Sequence, residues 1–178
     1  MNDAAIKIRA LKPDEIALFP QSFTDAIDIE SVRFIFRAHN PLAAKKILVR
    51  GNQIFWPNCP LDFTQDSVDK QALLMHELCH VWQYHTRRLT AFRYLTRPKH
   101  WTYHYGFDRA KSFDDYPIEK QADLLQDWYL MNMGAPPQRF KRGTQAPSLE
   151  QINQTVPFIW PAQKPSGNPK ADEPIRRV

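Results

Sequence analysis

The sequence has few of the features that crosslink small proteins or anchor them in membranes. Only 2 of its 178 residues are cysteines, so no disulfide framework holds the fold. Its apolar runs are short, with Ala72–Met75 among the longest, whereas a transmembrane helix needs about 20 apolar residues. The first residues lack a basic region followed by an apolar one, so we expect no ordinary secretory signal. We therefore expect cytoplasmic synthesis and, where export occurs, a route without a cleaved signal peptide.

Glycine is also scarce, with 5 residues against 15 prolines, and 8 of those prolines lie from Pro136 onward. Proline removes a backbone donor and disfavours helix, and apolar periodicity fades from about Gly143. The sequence predicts a folded domain over residues 1–142 and a proline-rich extended arm over residues 143–178. An apolar island at Val156–Pro161 is expected to dock on the domain or on a partner.

The remaining composition is that of a globular protein, with 43% hydrophobic and 24% charged residues. The net charge of +5 is unevenly placed, because seven basic residues and one acid lie between Thr86 and Lys111. Such a segment is usually a solvated face with buried aliphatic stems. A nucleic-acid-binding module that uses residues 86–111 is the less favoured alternative.

Local patterns predict a mixed α+β organisation. A helix is expected to begin at Pro13, and a hairpin-like turn separates two of the predicted strands. A helix capped by Thr64 or Asp66 should run to about His85, and another should begin near Asp115 and end at Gly134. The predicted strands cover residues 32–37, 46–49 and 54–56.

The residues His76-Glu77-Leu78-Cys79-His80 form an H-E-x-x-H motif on the predicted central helix. Side chains at positions i and i+4 share one helical face, so both imidazoles can reach one metal ion. Glu77 then lies where it can take a proton from water at that ion instead of binding it. Two imidazoles plus a carboxylate form a catalytic zinc set, which predicts one Zn²⁺.

A third ligand is available on the next strong helix, in Glu119-Lys120-Gln121-Ala122-Asp123. The two acids lie one helical turn apart, so Glu119 could complete the metal site. Asp123 could then accept the free N–H of a ligand histidine and fix its tautomer. Considered alone, these residues fit an ordinary solvated helix start better. Beside the H-E-x-x-H motif, the metal site becomes the preferred interpretation.

These motifs resemble those of the gluzincin zinc metallopeptidases, which pair H-E-x-x-H with a downstream Glu and an Asp four residues later. Leu74–Gln83 and Phe113–Asp123 are more specifically similar to small bacterial Vgr-related proteins linked with type VI secretion spikes. The resemblance covers roughly residues 10–135. It implies a zincin-like minigluzincin domain, in which a small mixed sheet packs on the motif helix and a second Glu-bearing helix, and a role as a secreted effector. Cys79 departs from the Thr or Ala common at its position.

The resemblance also implies a Tyr or His that stabilises the oxyanion formed during peptide hydrolysis. Tyr103, His104 and Tyr105 are the candidates, with Tyr105 preferred, and aromatic packing is the alternative explanation. We further expect an edge strand over Ile54, Phe55 and Trp56 to align an extended peptide by joining it to the sheet.

These expectations together describe a zinc metallopeptidase acting on peptide or peptide-crosslinked substrates. A secretion spike or an immunity protein is the expected protein partner. The first alternative is a catalytically inactive zinc-binding adaptor of the spike.

Overall fold

The computed structural model describes residues 7–39, 46–89, 104–141, 143 and 145–161. Within these residues the chain is mixed α+β, as predicted, whereas the zincin-like fold stays a prediction. The strands are β1 (Ile8–Arg9), β2 (Arg33–Ile35), β3 (Leu48–Arg50) and β4 (Gln53–Phe55). The helices are α1 (Pro13–Ile16), α2 (Gln21–Thr24), α3 (Val68–His85), α4 (Ile118–Asn132) and α5 (Leu149–Thr155). No helix in these ranges is long and apolar enough to cross a membrane.

The strands form one small mixed sheet in the order β1-β2-β4-β3. β1 pairs with β2, and β3 with β4, in antiparallel orientation, whereas β2 and β4 run parallel with Phe34 opposite Ile54. The turn between β3 and β4 uses Gly51 at φ +60°, a conformation that glycine adopts without steric cost. The predicted hairpin across residues 50–53 is confirmed.

The segment Ile54–Trp56 does not lie at the edge of the sheet. β4 is hydrogen-bonded to β2 on one side and to β3 on the other, and Ile54 is completely buried. The expectation that this strand adds a peptide to the sheet is therefore wrong, because its backbone groups are already paired. Among the described strands, the free edges belong to β1 and β3.

α3 carries the H-E-x-x-H motif and is buried over most of its length. The Ser67 hydroxyl caps it by accepting a hydrogen bond from the Lys70 amide at 3.4 Å. The predicted caps, Thr64 and Asp66, lie in and directly after a 3-10 turn that precedes the helix. The helix ends at His85, as predicted.

α4 packs against α3 and supplies the large buried side chains Trp128 and Tyr129. It begins directly after Pro117, and Gly134 at φ +78° lies beyond its end, close to the predicted limits. The Tyr129 hydroxyl donates to Gln71 Oε1 at 2.9 Å, which links the two helices inside the core. This packing fixes the separation of the side chains that face each other across the two helices.

Part of the predicted C-terminal arm folds onto the domain. α5 occupies residues for which extended chain was expected, and Ser148 caps it by accepting from the Gln151 amide. Helix forms there because this capping box opens a short amphipathic turn whose Ile152 is completely buried. The predicted domain limit at residue 142 therefore lies too early.

The apolar island after α5 docks on its own domain. Phe158 packs edge-on against Phe23, with 4.9 Å between ring centroids, and Trp160 packs against Trp128 at 5.1 Å. The Ile159 amide donates to Ser22 Oγ at 2.9 Å. The rest of the predicted arm, residues 162–178, lies outside the described residues.

A buried carboxylate joins the N-terminal strand to the approach of α3. Glu15 is fully buried and accepts hydrogen bonds from Arg9 Nη1 and Nη2 at 2.7 and 2.8 Å and from the Phe63 amide at 2.9 Å. Burial opposes ionisation, yet the Arg9 guanidinium and the backbone N–H donors together hold the pKa of Glu15 below its usual value.

Candidate metal centre

Three side chains from α3 and α4 converge at the predicted metal site. His76 and His80 lie one turn apart on α3, and Glu119 faces them from the first turn of α4. One ligand atom of each lies within 4.8 Å of the other two. Glu119 Oε2 is 3.8 Å from His76 Nε2 and 3.5 Å from His80 Nε2. The structure thus brings the three predicted ligands together in a cluster that could hold a metal ion.

The orientation of both imidazoles fits a divalent metal. Each ring turns Nε2 towards Glu119 and Nδ1 towards a separate acceptor, Asp123 for His76 and Gln83 for His80. An acceptor at Nδ1 places the ring proton there and leaves the Nε2 lone pair free for a metal ion. Two neutral imidazoles and one carboxylate form the donor set of catalytic zinc sites.

Gln83 holds His80, a role that the sequence analysis missed. Its Oε1 lies 2.8 Å from His80 Nδ1, while its amide nitrogen donates to Ile118 O and Gln121 Oε1 at 2.9 Å each. Since both amide hydrogens are committed to α4, the oxygen must accept, and the network assigns the His80 proton to Nδ1. The i, i+3 spacing from His80 to Gln83 is the signal that could have indicated this contact.

Asp123 lies where the spacing predicted, behind His76. Its Oδ1 is 3.5 Å from His76 Nδ1, and neither of these buried atoms has a closer hydrogen-bond partner among the described residues. Its Oδ2 accepts from the His104 amide at 3.3 Å. Burial raises the pKa of Asp123 to about 6, although the Arg139 guanidinium opposes this shift. A movement of a few tenths of an ångström would complete the His76–Asp123 hydrogen bond.

Glu77, the predicted general base, is buried beside the cluster with 7% of its surface exposed. No group in the described part of the chain donates a hydrogen bond to its carboxylate. Burial raises the pKa of Glu77 to about 7, and the Glu119 charge adds to this shift while His80 and Arg139 oppose it. A carboxyl group that titrates near neutrality can both accept and return a proton.

The three side chains of the cluster shift one another's pKa values. Burial alone would lower the pKa of His80, yet the adjacent Glu119 carboxylate outweighs it and raises that pKa. Burial and the charge on His80 together lower the pKa of His76. The two imidazoles in turn hold the pKa of Glu119 low, in spite of its burial. The anionic Glu119 and the neutral His76 already have the protonation states that metal binding requires, whereas His80 must release a proton when a metal ion binds.

Tyr105, the preferred oxyanion candidate, does not join this cluster. It is completely buried, and its hydroxyl donates to Asp127 Oδ2 at 2.9 Å, two helical turns beyond Glu119 on α4. Two turns correspond to a rise of about 11 Å along the helix. The geometry therefore argues against a catalytic Tyr105 and for a structural hydroxyl that satisfies a buried carboxylate.

His104 is closer to the site, and Tyr103 lies outside the described residues. The His104 backbone has φ +85°, its amide donates to Asp123, and its Nδ1 lies 3.2 Å from Arg139 O. Its side chain is exposed. A non-glycine residue at positive φ costs free energy and is often found at functional sites.

Asp127 is a second residue that the sequence analysis missed. Besides the Tyr105 hydroxyl, it accepts the Gln138 amide at 2.7 Å and the Arg139 amide at 3.0 Å. Residues 104–105 and 138–141 meet through a parallel bridge between Tyr105 and Phe140, and we call these residues the wall. Asp127 connects the wall to α4 through these hydrogen bonds. Its partners are distant in sequence, so only its E-x-x-x-D-x-x-x-D spacing could have marked it.

Other candidates from the sequence lie apart from the cluster. The Cys79 thiol is buried, and burial raises its pKa, which favours a core role over a nucleophilic one. His85 Nε2 contacts Asn52 Oδ1 at 2.6 Å, near the β3–β4 turn. In the basic segment, Arg88 pairs with Asp114, and residues 90–103 lie outside the described residues.

The small mixed sheet and the His76–His80–Glu119 cluster define an α+β protein with a candidate metal centre between two helices. No family model matches the chain. It is 29% identical over 131 residues to the type VI secretion system spike protein VgrG2b of Pseudomonas aeruginosa, which covers 68% of this chain and 13% of the spike protein. It is also similar to the solved effector domain of Pseudomonas aeruginosa VgrG2b, with a TM-score of 0.60 and 25% identity.

The match to that effector domain covers 82% of this chain and 80% of the domain. The chain thus spans a small fraction of the whole spike protein but most of the length of the effector domain. This similarity supports a type VI secretion-associated protein.

Proposed function

We propose that this chain is a zinc-dependent metallopeptidase that acts as a type VI secretion effector. The observation that carries the proposal is the convergence of His76, His80 and Glu119 on one point. Glu77 lies beside the cluster, and the similarity to a VgrG2b effector domain supports the secretion context. One ion held by two imidazoles and a carboxylate keeps a coordination position open, as hydrolysis requires.

The residues of the chain divide the chemistry among them. A bound zinc ion would polarise the scissile carbonyl and lower the pKa of water. Glu77 takes the proton from the attacking water and returns it to the leaving amine. Gln83 and Asp123 keep the two imidazoles oriented.

His104 is the described residue that we assign to stabilising the oxyanion. Its backbone amide is hydrogen-bonded to Asp123. Its exposed ring contacts the Arg139 carbonyl through Nδ1, which leaves Nε2 available to a substrate. Tyr103 stays a candidate for the same role.

An extended substrate would pair with β3, the edge strand that packs against α3. Val49 pairs with Ile54 on one side of β3, and the opposite side of the strand faces no other described strand. Peptides and peptide-crosslinked cell-wall polymer both supply the extended amide backbone that this pairing needs.

Metal analysis and a hydrolysis assay test the proposal together. The purified chain should bind one zinc ion, and His76→Ala with His80→Ala should remove it. Glu77→Gln should keep the zinc and lose hydrolysis of unfolded protein and cell-wall peptides by at least about 100-fold. Glu30→Gln removes an exposed carboxylate and is the matched control. Full hydrolysis by Glu77→Gln would refute the general-base role.

An inactive zinc-binding adaptor is the second candidate, favoured by the similarity to a spike protein. An adaptor should bind the spike, or an immunity protein, with equal affinity in the wild type and Glu77→Gln, and neither form should hydrolyse peptides. Hydrolysis that depends on Glu77 excludes this candidate.

A further inference from the structure

The Arg139 guanidinium is held on one edge only. Its Nε donates to Gln126 Oε1 at 2.9 Å and lies 3.7 Å from Asp123 Oδ1. The main chain of the same residue is fixed more tightly, because its amide donates to both oxygens of Asp127 at 3.0 Å. The side chain is therefore oriented by two residues of α4 and by the wall.

The other edge of this guanidinium is open. Within the described ranges, no acceptor takes a hydrogen bond from Nη1 or Nη2, and 29% of the side chain is exposed. A guanidinium edge that carries paired N–H groups matches the two oxygens of a carboxylate. A role for Arg139 in neutralising Asp123 does not explain this arrangement. The Nε hydrogen is donated to the neutral amide of Gln126, and the two Nη groups face no carboxylate of the described chain.

The open edge lies next to the metal centre. Asp123 Oδ1 stands between Arg139 Nε and His76 Nδ1, at 3.7 and 3.5 Å respectively. The exposed His104 ring contacts the Arg139 carbonyl at 3.2 Å, so both side chains project from the same wall. Only the Asp123 carboxylate would therefore separate a group bound at Arg139 from His76, a proposed metal ligand.

We infer that Arg139 binds a substrate carboxylate close to the scissile bond, so that the preferred substrates carry a free carboxylate at that position. This inference rests on the proposed function, because it concerns the substrate of the same centre. The carboxylate could belong to an acidic side chain or to a free C-terminus, and the two sources present the same pair of oxygens.

Three hydroxamate probes separate these sources, because a hydroxamate binds zinc directly and needs no turnover. Each probe carries a malonyl-hydroxamate group on the nitrogen of one amino acid. The first amino acid is glycine with a free C-terminal carboxylate. The second is the glutamic acid amide, which carries only a side-chain carboxylate. The third is the glutamine amide, which carries none. Calorimetry measures the affinity of each probe for the zinc-loaded full chain.

We expect at least one carboxylate probe to bind wild type about tenfold more tightly than the glutamine amide, the size of one charge-assisted contact. Arg139→Gln should abolish this preference and leave the affinity for the glutamine amide unchanged. Arg139→Lys should retain part of the preference as a point charge without the planar fork. Arg109→Gln replaces an exposed arginine whose side chain forms no hydrogen bond or ion pair with the described residues, and it should change nothing.

Equal binding of all three probes to wild type would overturn the inference and leave the metal centre intact. A uniform loss of affinity in Arg139→Gln, for all three probes, would also overturn it by showing a purely structural role. The zinc content and the thermal unfolding midpoint of each variant show whether such a uniform loss comes from a damaged metal centre or a destabilised fold. If no hydroxamate binds, the metal centre and this inference both fail.

Discussion

His80 Nδ1 lies 2.8 Å from Gln83 Oε1, and the Gln83 amide nitrogen is itself bound to the first turns of α4. One buried amide therefore couples the orientation of a ligand on α3 to the helix that supplies Glu119. The positions of two residues of the candidate metal cluster, His80 and Glu119, are therefore linked through a residue outside the cluster.

Gln83→Leu should weaken zinc affinity by about 10- to 100-fold, the usual effect of losing a partner behind a ligand histidine. His80 would lose the acceptor that fixes its tautomer. Competition with a chromogenic chelator measures the affinity. Gln65→Leu, which replaces an exposed glutamine before α3, should bind zinc as wild type does. Unchanged affinity in Gln83→Leu would show that the helix alone orients His80.

Tyr105→Phe should destabilise the fold without removing activity. The change leaves buried Asp127 without one of its donors, which costs about 1–3 kcal/mol. Urea unfolding measures this cost. Tyr84→Phe, at a half-buried tyrosine whose hydroxyl forms no hydrogen bond with the described residues, should cost less. If zinc-loaded Tyr105→Phe instead loses hydrolysis with no change in unfolding free energy, Tyr105 belongs to the catalytic machinery.

Phe158→Ala should lower the free energy of unfolding by about 3–5 kcal/mol, the usual cost of truncating a buried aromatic ring. Phe158 is buried between Phe23 and Trp82, with centroid distances of 4.9 and 5.5 Å. Its neighbour Ile159 is 77% exposed, so Ile159→Ala should change stability by less than about 0.5 kcal/mol. Equal effects of the two changes would mean that the apolar island is not part of the core.

Glu15→Gln should remove a pH-dependent part of the stability. The folded-state pKa of Glu15 is below its usual value of 4.5, so its contribution to stability is complete above that pH. That contribution is lost as the pH falls through the lowered pKa. At pH 7 we expect a loss of about 3 kcal/mol from breaking the buried pair with Arg9.

Urea unfolding of the chelated protein, at pH 7 and at several values below 4.5, tests this dependence. Chelation removes the separate effect of pH on metal binding. Glu30→Gln provides an exposed control. A difference between wild type and Glu15→Gln that stays constant down to low pH would contradict the assignment.

The convergence of the candidate metal cluster could be predicted because helical spacing alone decides which side chains share a face. Two helices and their periodicity are enough to predict the relative positions of His76, His80, Glu119 and Asp123. Local propensity also predicts the ends of both helices to within a few residues. The hairpin before α3 was predictable for the same local reason.

The features that sequence analysis missed depend on contacts between distant residues. β4 became an internal strand through parallel pairing with β2, which no local pattern specifies. The resemblance made Tyr105 the preferred oxyanion candidate, and no local pattern indicates its contact with Asp127, which lies 22 residues later. The proline-rich composition after Gly143 concealed a short helix whose stability comes from packing on α4.

Glu119, Asp123 and Asp127 follow one another at intervals of four along α4, and each serves a different structure: the cluster, His76 and the wall. Inserting or deleting one residue between them would turn every later position by about 100° around the helix axis. Such a change would move at least one of the three carboxylates away from its partner. During divergence this stretch of α4 can therefore accept substitutions but not changes in length, and its length should vary less than that of the loops on either side.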